Sequence, residues 1–382
     1  MKTLKCNYEM YNPNIVASEN CHVIDENGKK YVDFEAGVWA VPLGHNNKRI
    51  NDSIMRQLNT ISHVGYRYTT KIVDEAAAKV LELLGFPDGK CVFLSSGSEA
   101  VEFGVQAARR VMDKPYFLCL SNYYLSAYGI SQSRSAEQWI SLDISEYKGN
   151  PEEFLADIPF EKIGAFVFEA GNASGTAKLP PKELIAAIEE KLNNAIIVTD
   201  EVTTGIGRTG RWFGYEHYNM RPDIVALGKG IGNGYPVSVI CLSKNIAEAL
   251  EKSGFRYAQS HQDDPLGCAV VSEVISAINE NNLIQRAAET GKILKHSLKS
   301  LTKKHNCIKE IRGQGLMLVM EFHKKEKFNL QKIHRELFDA GYITGHHALE
   351  NLLRFYPPLT IEEFQIKNMI DALDICLSKI GA

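Results

Sequence analysis

The stretch from Ile196 to Tyr235 reads IIVTDEVTTGIGRTGRWFGYEHYNMRPDIVALGKGIGNGY, and it decides the fold. Two short apolar runs, Ala195–Val198 and Ile224–Leu227, predict buried parallel strands. Asp200 follows the first run, and Lys229 follows the second inside a glycine-rich loop. Ligands of open α/β sheets bind beyond the carboxyl ends of the strands. The acid and the amine are therefore expected at one edge of the sheet, where they could hold opposite ends of a flat cofactor.

The composition excludes several classes of protein. The 382 residues are enough for a large core and for two domains. The net charge of −3 gives no reason to expect nucleic acid or an anionic membrane as a partner. The eight cysteines show neither Cys-x-x-Cys pairs nor metal-ligand spacing with histidine, so no metal is expected and the thiols are predicted to be reduced. No signal-peptide core and no apolar run of the ~18 residues that a membrane span needs is present, so the expected location is the cytoplasm.

Along the rest of the chain, short apolar runs alternate with helical patterns. The further runs that predict strands are Cys91–Leu94, Tyr116–Leu120, Gly164–Phe168 and Pro236–Leu242. This alternation predicts a mostly parallel sheet that is covered by helices on both faces. Residues 46–275 are expected to form this large cofactor-binding domain, and residues 1–45 with 276–382 a small α+β domain built from both chain ends.

The two ends carry signals of their own. Cys21–Ile24 and Lys30–Phe34 flank the turn Asp25-Glu26-Asn27-Gly28, which predicts a hairpin. Residues 312–322, RGQGLMLVMEF, predict one strand, and Glu362–Lys379 predicts a final helix. A helix from about Pro265 to Asn282 is expected to close the large block between these ends.

A phosphate site is predicted where the segment Leu94–Val101, LSSGSEAV, runs from a strand into a helix. Ser96 and Glu99 form a capping-box pattern, and the small residues Gly97 and Ser98 leave backbone N–H groups open in the first turn. A helix start of this kind favours a phosphate through its dipole and its unpaired donors. The alternative for this segment is an ordinary helix cap.

Three further side chains stand at predicted strand ends. Tyr123 follows the strand Tyr116–Leu120 and could stack on a cofactor, although packing is the more common role of such a ring. Asp200 is costly to bury without a cation such as a protonated pyridine nitrogen; its alternative role is to cap the next turn. Lys229 can form a Schiff base when its pKa is depressed, or it can contact phosphate or solvent. Together, the phosphate site and these three side chains indicate a cofactor site more specifically than any one of them does alone.

A dinucleotide-binding motif is present but lies in the wrong context. Gly205–Gly210 matches G-x-G-x-x-G after a strand, and that motif must open a long helix. Here it runs into a segment that contains Gly214 and stops at Pro222. The Gly228-Lys229 pair does not match the Walker pattern either, because Asp223 stands where a glycine is required. Both nucleotide interpretations are therefore rejected.

The central stretch Thr199–Gly234 resembles the signature of the class III aminotransferases, the ornithine/ω-amino acid branch of the fold-type-I pyridoxal-phosphate enzymes. Further motifs lie in the family's order and spacing: DFEAGVWAV…GH (33–45), GSEA (97–100), FEAG (168–171), DPLGCA (264–269), RGQGLM (312–317) and LRFYPPL (353–359). The resemblance covers essentially the whole chain. It implies pyridoxal 5'-phosphate as the cofactor, and an amine or amino acid and a 2-oxo acid as the substrates.

The resemblance also implies roles for residues around the cofactor ring. Lys229 would hold the cofactor as a Schiff base and move the proton during the reaction. Asp200 would pair with the pyridine nitrogen. Val202 and Tyr123 would contact the two faces of the ring, and Thr203 would lie near the 3-hydroxyl group.

The cofactor's phosphate is expected to be shared between two subunits. Gly97 and Ser98 would bind it from one chain, and Ser260 falls where the family has a threonine that reaches the phosphate of the neighbouring subunit. Glu169, in the matched PheGlu motif, is expected among the cofactor-binding residues. The resemblance therefore implies a homodimer with shared active sites.

The substrate end departs from the ornithine enzymes. Arg354 corresponds to the arginine that grips a substrate carboxylate, and Trp39 resembles the tryptophan of ω-amine transaminases. Ser126 and Val38 replace an arginine and a tyrosine of the ornithine enzymes, which argues against ornithine or acetylornithine as the substrate. Ser174 stands where many members have a glutamate that masks the arginine, so nothing in the sequence is expected to neutralise Arg354.

Two other functions are compatible with parts of this pattern. A racemase or epimerase on the same fold needs the same Lys229 and Asp200, because it returns the proton to the original carbon. A non-enzymatic binding or regulatory protein would lack Lys229 or carry a DNA-binding segment, and the sequence shows neither. The expected function is therefore transfer of an amino group from an amino acid or ω-amine to a 2-oxo acid.

Overall fold

A computed structural model describes Leu4, Cys6 and residues 14–171, 175–324 and 328–379. Within these ranges the strands form one seven-stranded sheet and two four-stranded sheets. All eight cysteines fall among the described residues and are free thiols. None of the helices in the described ranges is long and apolar enough to cross a membrane.

The N-terminal segment begins with the predicted hairpin. Its elements are the antiparallel strands β1 (Ile15–Glu19), β2 (His22–Asp25) and β3 (Lys30–Asp33), the single turn α1 (Ala36–Trp39), and the helices α2 (Lys48–Leu58) and α3 (Lys71–Leu84). The Asp25 carboxylate accepts hydrogen bonds from the N–H groups of Asn27 at 2.8 Å and Lys29 at 2.9 Å. These bonds fix the turn between β2 and β3, as expected for an aspartate at this position of a turn.

The central sheet confirms the mostly parallel arrangement. In chain order its strands are β4 (Lys90–Leu94), β5 (Tyr116–Leu120), β6 (Trp139–Leu142), β7 (Ile163–Glu169), β8 (Ile196–Asp200), β9 (Ile224–Leu227) and β10 (Ser238–Leu242). Their order across the sheet is β4-β10-β9-β8-β7-β5-β6. Only β10 is reversed, because it pairs antiparallel with both β4 and β9. The carboxyl ends of β7, β8 and β9 therefore meet at one edge.

Helices pack against this sheet and against one another. They are α4 (Gly97–Val111), α5 (Ile130–Ser133), α6 (Pro151–Phe154), α7 (Lys182–Lys191), α8 (Lys244–Lys252), α9 (Pro265–Glu280) and α10 (Leu283–Leu301). Helix α4 contacts β7, β8, β9 and β10, and α9 contacts α2 and α3. The capping box of α4 is confirmed, since Ser96 Oγ accepts from the N–H of Glu99 at 3.3 Å and the Glu99 carboxylate accepts from the N–H of Ser96 at 2.8 Å.

The C-terminal segment supplies the third sheet and one strand of the first. Its elements are β11 (Ile308–Gln314), β12 (Met317–Phe322), α11 (Leu330–Asp339), β13 (Tyr342–Ile343), β14 (Gly345–His347), β15 (Leu352–Phe355) and α12 (Glu363–Lys379). The third sheet has the order β11-β12-β15-β14. Strand β13 instead pairs in parallel with β3, so the two ends of the chain share one sheet.

The prediction of a single strand over residues 312–322 is wrong. The run folds back on itself as the antiparallel pair β11 and β12, which turns at Gly315 and Leu316. Gly315 has a φ of 56°, and a side chain on it would collide with the backbone of Thr209. The Gly-Gln-Gly sequence was the missed signal, because glycine inside a strand pattern marks a turn or a close backbone approach.

Candidate active site

Three chemically active side chains meet at the carboxyl edge of the central sheet. Asp200 ends β8, Glu169 ends β7 directly opposite it in the parallel register, and Lys229 comes two residues after the end of β9. Both carboxylates are almost fully buried. This edge is where open α/β sheets bind their ligands, and it is where the sequence predicted Asp200 and Lys229.

The Lys229 amine lies in a buried, polar position. Its Nζ donates to Thr203 Oγ1 at 3.0 Å and stands 5.2 Å from the centre of the Trp39 ring. Burial lowers the pKa of the Lys229 amine, and the charges of Asp200 and Glu169 offset only part of this effect. A lysine with a lowered pKa exposes a neutral amine, the form that acts as a nucleophile and as a base.

The negative charge of the buried Asp200 carboxylate is only partly compensated by its neighbours. Its Oδ1 accepts from the Val202 N–H at 3.0 Å. Burial raises the pKa of the Asp200 carboxyl, while the Val202 N–H and the charge of Lys229 lower it only in part. A buried carboxylate in this state is stabilised by a further cation.

The start of α4 approaches the loop after β8 closely. A Cβ added to Gly97 would lie 2.5 Å from Val202 Cγ1, so only glycine allows this approach. Gly97 and Ser98 are the first two residues of the helix, and N–H groups of a first turn have no acceptor inside the helix. The Ser98 hydroxyl accepts from the Ala127 N–H at 3.0 Å, and the Ser126 hydroxyl donates to the Ser98 carbonyl at 3.3 Å. N–H groups of a first helical turn can bind an anion, and the close approach places this turn beside Val202.

The other two predicted cofactor contacts differ in their setting. Tyr123 follows β5 and is almost fully buried, and burial raises the pKa of its hydroxyl well above the ordinary value. Ser260 lies in the turn before α9 and is exposed. Among the described residues, Ser260 is not a hydrogen-bond partner of Lys229 or Asp200.

These residues fit pyridoxal phosphate. The α4 start offers donors for a phosphate, the buried Asp200 suits a protonated ring nitrogen, and the buried Lys229 amine suits Schiff-base chemistry. Val202 adds an apolar side chain directly beside Gly97.

The expectation that nothing neutralises Arg354 is wrong. Arg354, on β15, forms a two-point ion pair with Glu35, in which Nε donates to Oε1 at 3.3 Å and Nη2 to Oε2 at 3.1 Å. Ser174, at the position of the family's masking acid, lies outside the described residues. No motif indicates that the acid comes from the N-terminal segment, because only the folded chain brings β15 beside the turn after β3.

The Trp39 ring lies close to both the Lys229 amine and the Arg354 guanidinium group. The centre of its ring lies 5.2 Å from Arg354 Cζ, the same distance as from Lys229 Nζ. The ring also packs against Tyr356, with centroids 5.3 Å apart. Both substrate residues named from the sequence, Trp39 and Arg354, thus lie together near Lys229.

The turn that carries Trp39 has an unusual backbone. Ala36, Gly37, Val38 and Trp39 have φ values of 45°, 58°, 61° and 69°. Positive φ is strained in a β-branched residue, and strain of this kind concentrates at functional sites. Val38, which is 65% exposed, bears this strain without packing in the core.

Two polar residues that the sequence analysis missed hold this turn. Asp33 accepts from the N–H groups of Glu35 at 2.7 Å and Gly37 at 2.8 Å. Asn233, in the glycine-rich loop, accepts from the Leu43 N–H and donates to the Gly44 carbonyl. The only available signal was the presence of Asp33 and Asn233 inside the matched motifs, which does not reveal their partners.

Comparison with known proteins finds a family model that matches most of the chain. Residues 4–125 and 152–377 match the family model described as aminotransferase class-III. The acetylornithine aminotransferase of Methanocaldococcus jannaschii is 29% identical, over 96% of this chain and 94% of that protein. The [LysW]-aminoadipate semialdehyde/glutamate semialdehyde transaminase of Sulfurisphaera tokodaii is 27% identical, over 94% and 93% of the two chains.

Solved structures share the fold over nearly the full length. The S-selective transaminase from Arthrobacter sp. superposes with a TM-score of 0.89 at 24% identity, covering 99% of this chain and 95% of that one. The acetylornithine aminotransferase from Elizabethkingia anophelis gives a TM-score of 0.85 at 25% identity, covering 98% and 97%. The match of the family model over most of the chain shows that it belongs to the class III aminotransferases, enzymes that depend on pyridoxal phosphate.

Proposed function

We propose that this enzyme moves an amino group from an amino acid or ω-amine to a 2-oxo acid, with Lys229 as the residue that carries the cofactor and transfers the proton. The observation that carries this assignment is the buried Lys229 amine, 3.0 Å from the Thr203 hydroxyl and at the same sheet edge as Asp200. Transamination itself follows from the family, and none of the relatives named above favours the racemase alternative.

The roles of the residues follow from their positions. Bound pyridoxal phosphate supplies an electron sink for the substrate carbon that loses its proton. Asp200 would keep the ring nitrogen protonated, because the ion pair offsets the cost of burying this carboxylate. Gly97 and Ser98 would hold the phosphate, Val202 and Tyr123 would confine the ring, and Thr203 would orient both Lys229 and the 3-hydroxyl group. Glu169 lies opposite Asp200 and would add a second carboxylate to the same edge of the sheet.

Lys229 would act as the general base. Its lowered pKa favours the neutral amine, which can take the proton from the amine-bearing carbon and return it elsewhere on the substrate–cofactor system. Trp39 covers this amine from one side, so the ring limits the access of water and of bulky substrates. Arg354 would bind a substrate carboxylate through its two-point guanidinium geometry.

The assembly, domains and location remain part of the proposal. Ser260 is exposed in one chain, as expected if it serves the phosphate of a neighbouring subunit in a homodimer with shared active sites. The parallel pairing of β3 with β13 supports a small domain made of residues 1–45 and 276–382 beside a large domain of residues 46–275. The free cysteines are compatible with a cytoplasmic enzyme that has no nucleic-acid or membrane partner.

The two catalytic alternatives separate in one experiment. The cofactor-loaded protein is incubated with a panel of chiral amino acids and ω-amines, with and without pyruvate or 2-oxoglutarate. A transaminase forms a new amino acid only when the 2-oxo acid is present. Loss of optical activity without any 2-oxo acid would instead identify a racemase and overturn the proposal.

A further inference from the structure

The residue proposed to bind the substrate carboxylate already binds a carboxylate of its own chain. Glu35 uses both oxygens on Nε and Nη2 of Arg354, and the two side chains are only 12% and 15% exposed. This two-point geometry is the one that a guanidinium group uses for a substrate carboxylate. A substrate acid that approaches the same two nitrogens therefore has to displace Glu35.

The surroundings of the pair leave little room for both acids. Gly345 stands directly opposite Arg354 in the β14–β15 pairing, and a Cβ there would collide with Glu35 Oε1 and with Arg354 Nε. On another side, a Cβ on Gly175 would lie 2.5 Å from Arg354 Nη1. The Trp39 ring covers a further side of the guanidinium group, 5.2 Å from Arg354 Cζ. The pair therefore occupies a confined space next to the ring that also covers Lys229.

The backbone changes conformation directly after Glu35. Asp33 fixes the N–H groups of Glu35 and Gly37, whereas the strained positive-φ residues begin immediately after Glu35, at Ala36. Burial raises the pKa of the Glu35 carboxyl, and the charge of Arg354 lowers it only in part. In the described residues, Arg354 is the cation that forms the ion pair with Glu35, and it uses two of its nitrogens to do so.

We propose that Glu35 is a specificity-determining residue, which occupies Arg354 when the substrate has no carboxylate there and yields this place to the carboxylate of an amino acid or 2-oxo acid. The exchange lets one site accept a carboxylated substrate in one half-reaction and a plain amine in the other. An unpaired buried guanidinium group is costly, so Glu35 stabilises the site when the plain amine is bound. This inference rests on the proposed role of Arg354 as the substrate anchor.

The test compares Glu35→Gln and Glu35→Asp with the parent holoenzyme. Binding of glutarate, a carboxylate that cannot react, is measured by calorimetry. Single-turnover kinetics are measured with 4-aminobutanoate and with propylamine, which differ by one carboxylate. We expect Glu35→Gln to bind glutarate about tenfold more tightly, because the Glu35 carboxylate no longer competes with glutarate for Arg354. The KM for propylamine should rise severalfold with little change in kcat, and Glu35→Asp should restore the parent behaviour in part.

A matched control removes a different ion pair of the same type. Glu273→Gln breaks the pair between Glu273 and Arg49, which joins α9 to α2, and should leave glutarate binding and both donors unchanged. Weaker glutarate binding in Glu35→Gln would overturn the proposal, because Glu35 would then hold Arg354 in place for the substrate. Unchanged binding in both Glu35 variants would overturn it as well.

A third variant separates this inference from the proposed function. Arg354→Ala should weaken glutarate binding and carboxylated substrates by roughly ten- to a hundredfold, the usual cost of losing a charge-assisted contact. If Arg354→Ala leaves both unchanged, the substrate anchor itself is wrong. If only the Glu35 variants depart from expectation, Arg354 remains the substrate anchor, but Glu35 does not exchange with the substrate carboxylate.

Discussion

The Asn233 side chain accepts a hydrogen bond from the Leu43 N–H at 2.8 Å, and so ties the loop of Lys229 to the segment that carries Trp39 and Glu35. The same amide donates to the Gly44 carbonyl at 3.2 Å. Because Asn233 is nearly buried, water cannot easily replace it in these contacts. The position of the substrate residues relative to the Lys229 amine therefore depends in part on this side chain.

Asn233→Ala should lower the free energy of unfolding by about 1–3 kcal/mol, since it leaves buried backbone groups unpaired. The KM for carboxylated substrates should rise as the Trp39 segment shifts away from Lys229. Chemical denaturation and steady-state kinetics measure the two effects.

Asn219→Ala is the matched control for this change. Asn219 also has a positive φ, 57° against 42° for Asn233, but it is exposed. If both variants lose stability equally and neither changes KM, the loss of stability comes from backbone strain. The hydrogen bonds of Asn233 to Leu43 and Gly44 then have no role in positioning the site.

Lys229→Ala should abolish transamination and prevent covalent attachment of the cofactor. Borohydride reduction of the loaded parent protein, followed by peptide mapping, should place the label on Lys229. Lys244→Ala removes an exposed lysine that pairs with Asp88 and should change neither result. A label on any lysine other than Lys229 contradicts the assignment.

Asp200→Asn should keep the cofactor bound but lose most of the activity. Asparagine has nearly the same shape, yet it cannot stabilise a protonated ring nitrogen. Cofactor content by absorbance and single-turnover rates separate binding from chemistry. Asp223→Asn, which changes a carboxylate that accepts from the Ile197 N–H at the other end of the strands, should leave the rate intact. A parent-like rate in Asp200→Asn would mean that Asp200 only caps the turn.

Glu201 provides a pH-dependent prediction that concerns stability and not chemistry. Its carboxylate accepts from the N–H groups of Gly214 at 2.7 Å and Tyr215 at 2.8 Å and from the Thr204 hydroxyl, and burial raises its pKa from 4.5 to about 7. A raised pKa means that the folded state binds more protons than the unfolded state between these two values. The stabilisation is therefore complete below pH 4.5 and is lost as the pH rises through about 7.

Glu201→Gln should remove this share of the pH dependence. The shift corresponds to up to about 3 kcal/mol between acidic and neutral pH, at 1.36 kcal/mol per unit of pKa. Urea unfolding at pH 5 and pH 8 should show a flatter profile for the variant than for the parent. An identical slope in both proteins would show that Glu201 does not titrate in this range.

The parts of this fold that are set by local sequence were predictable. The apolar runs around Lys229 gave β9 with its observed bounds, Ile224–Leu227, because β-branched runs next to glycine-rich loops have few other solutions. The capping pattern of Ser96 and Glu99 placed the start of α4 correctly. In both cases, the information lies within a few residues of the feature that it predicts.

The contacts that complete the substrate end were not predictable in this way. Glu35 lies inside a matched motif, but nothing nearby indicates that its partner is Arg354, 319 positions later. The hairpin of β11 and β12 was missed for a related reason, since the turn at Gly315 is selected by the approach of Thr209 and not by its own neighbours. Such contacts arise from tertiary packing, which pattern and propensity do not encode.

The pairing of β3 with β13, and of Glu35 with Arg354, has a consequence for how the protein is made. During translation at about 5–20 residues per second, roughly 15 to 60 seconds separate the synthesis of Glu35 from that of Arg354, 319 residues later. For that interval the nascent chain presents the Glu35 carboxylate and the Trp39 ring without their C-terminal partners. The substrate end of the active site can therefore form only after the strands around Lys229 have been synthesised.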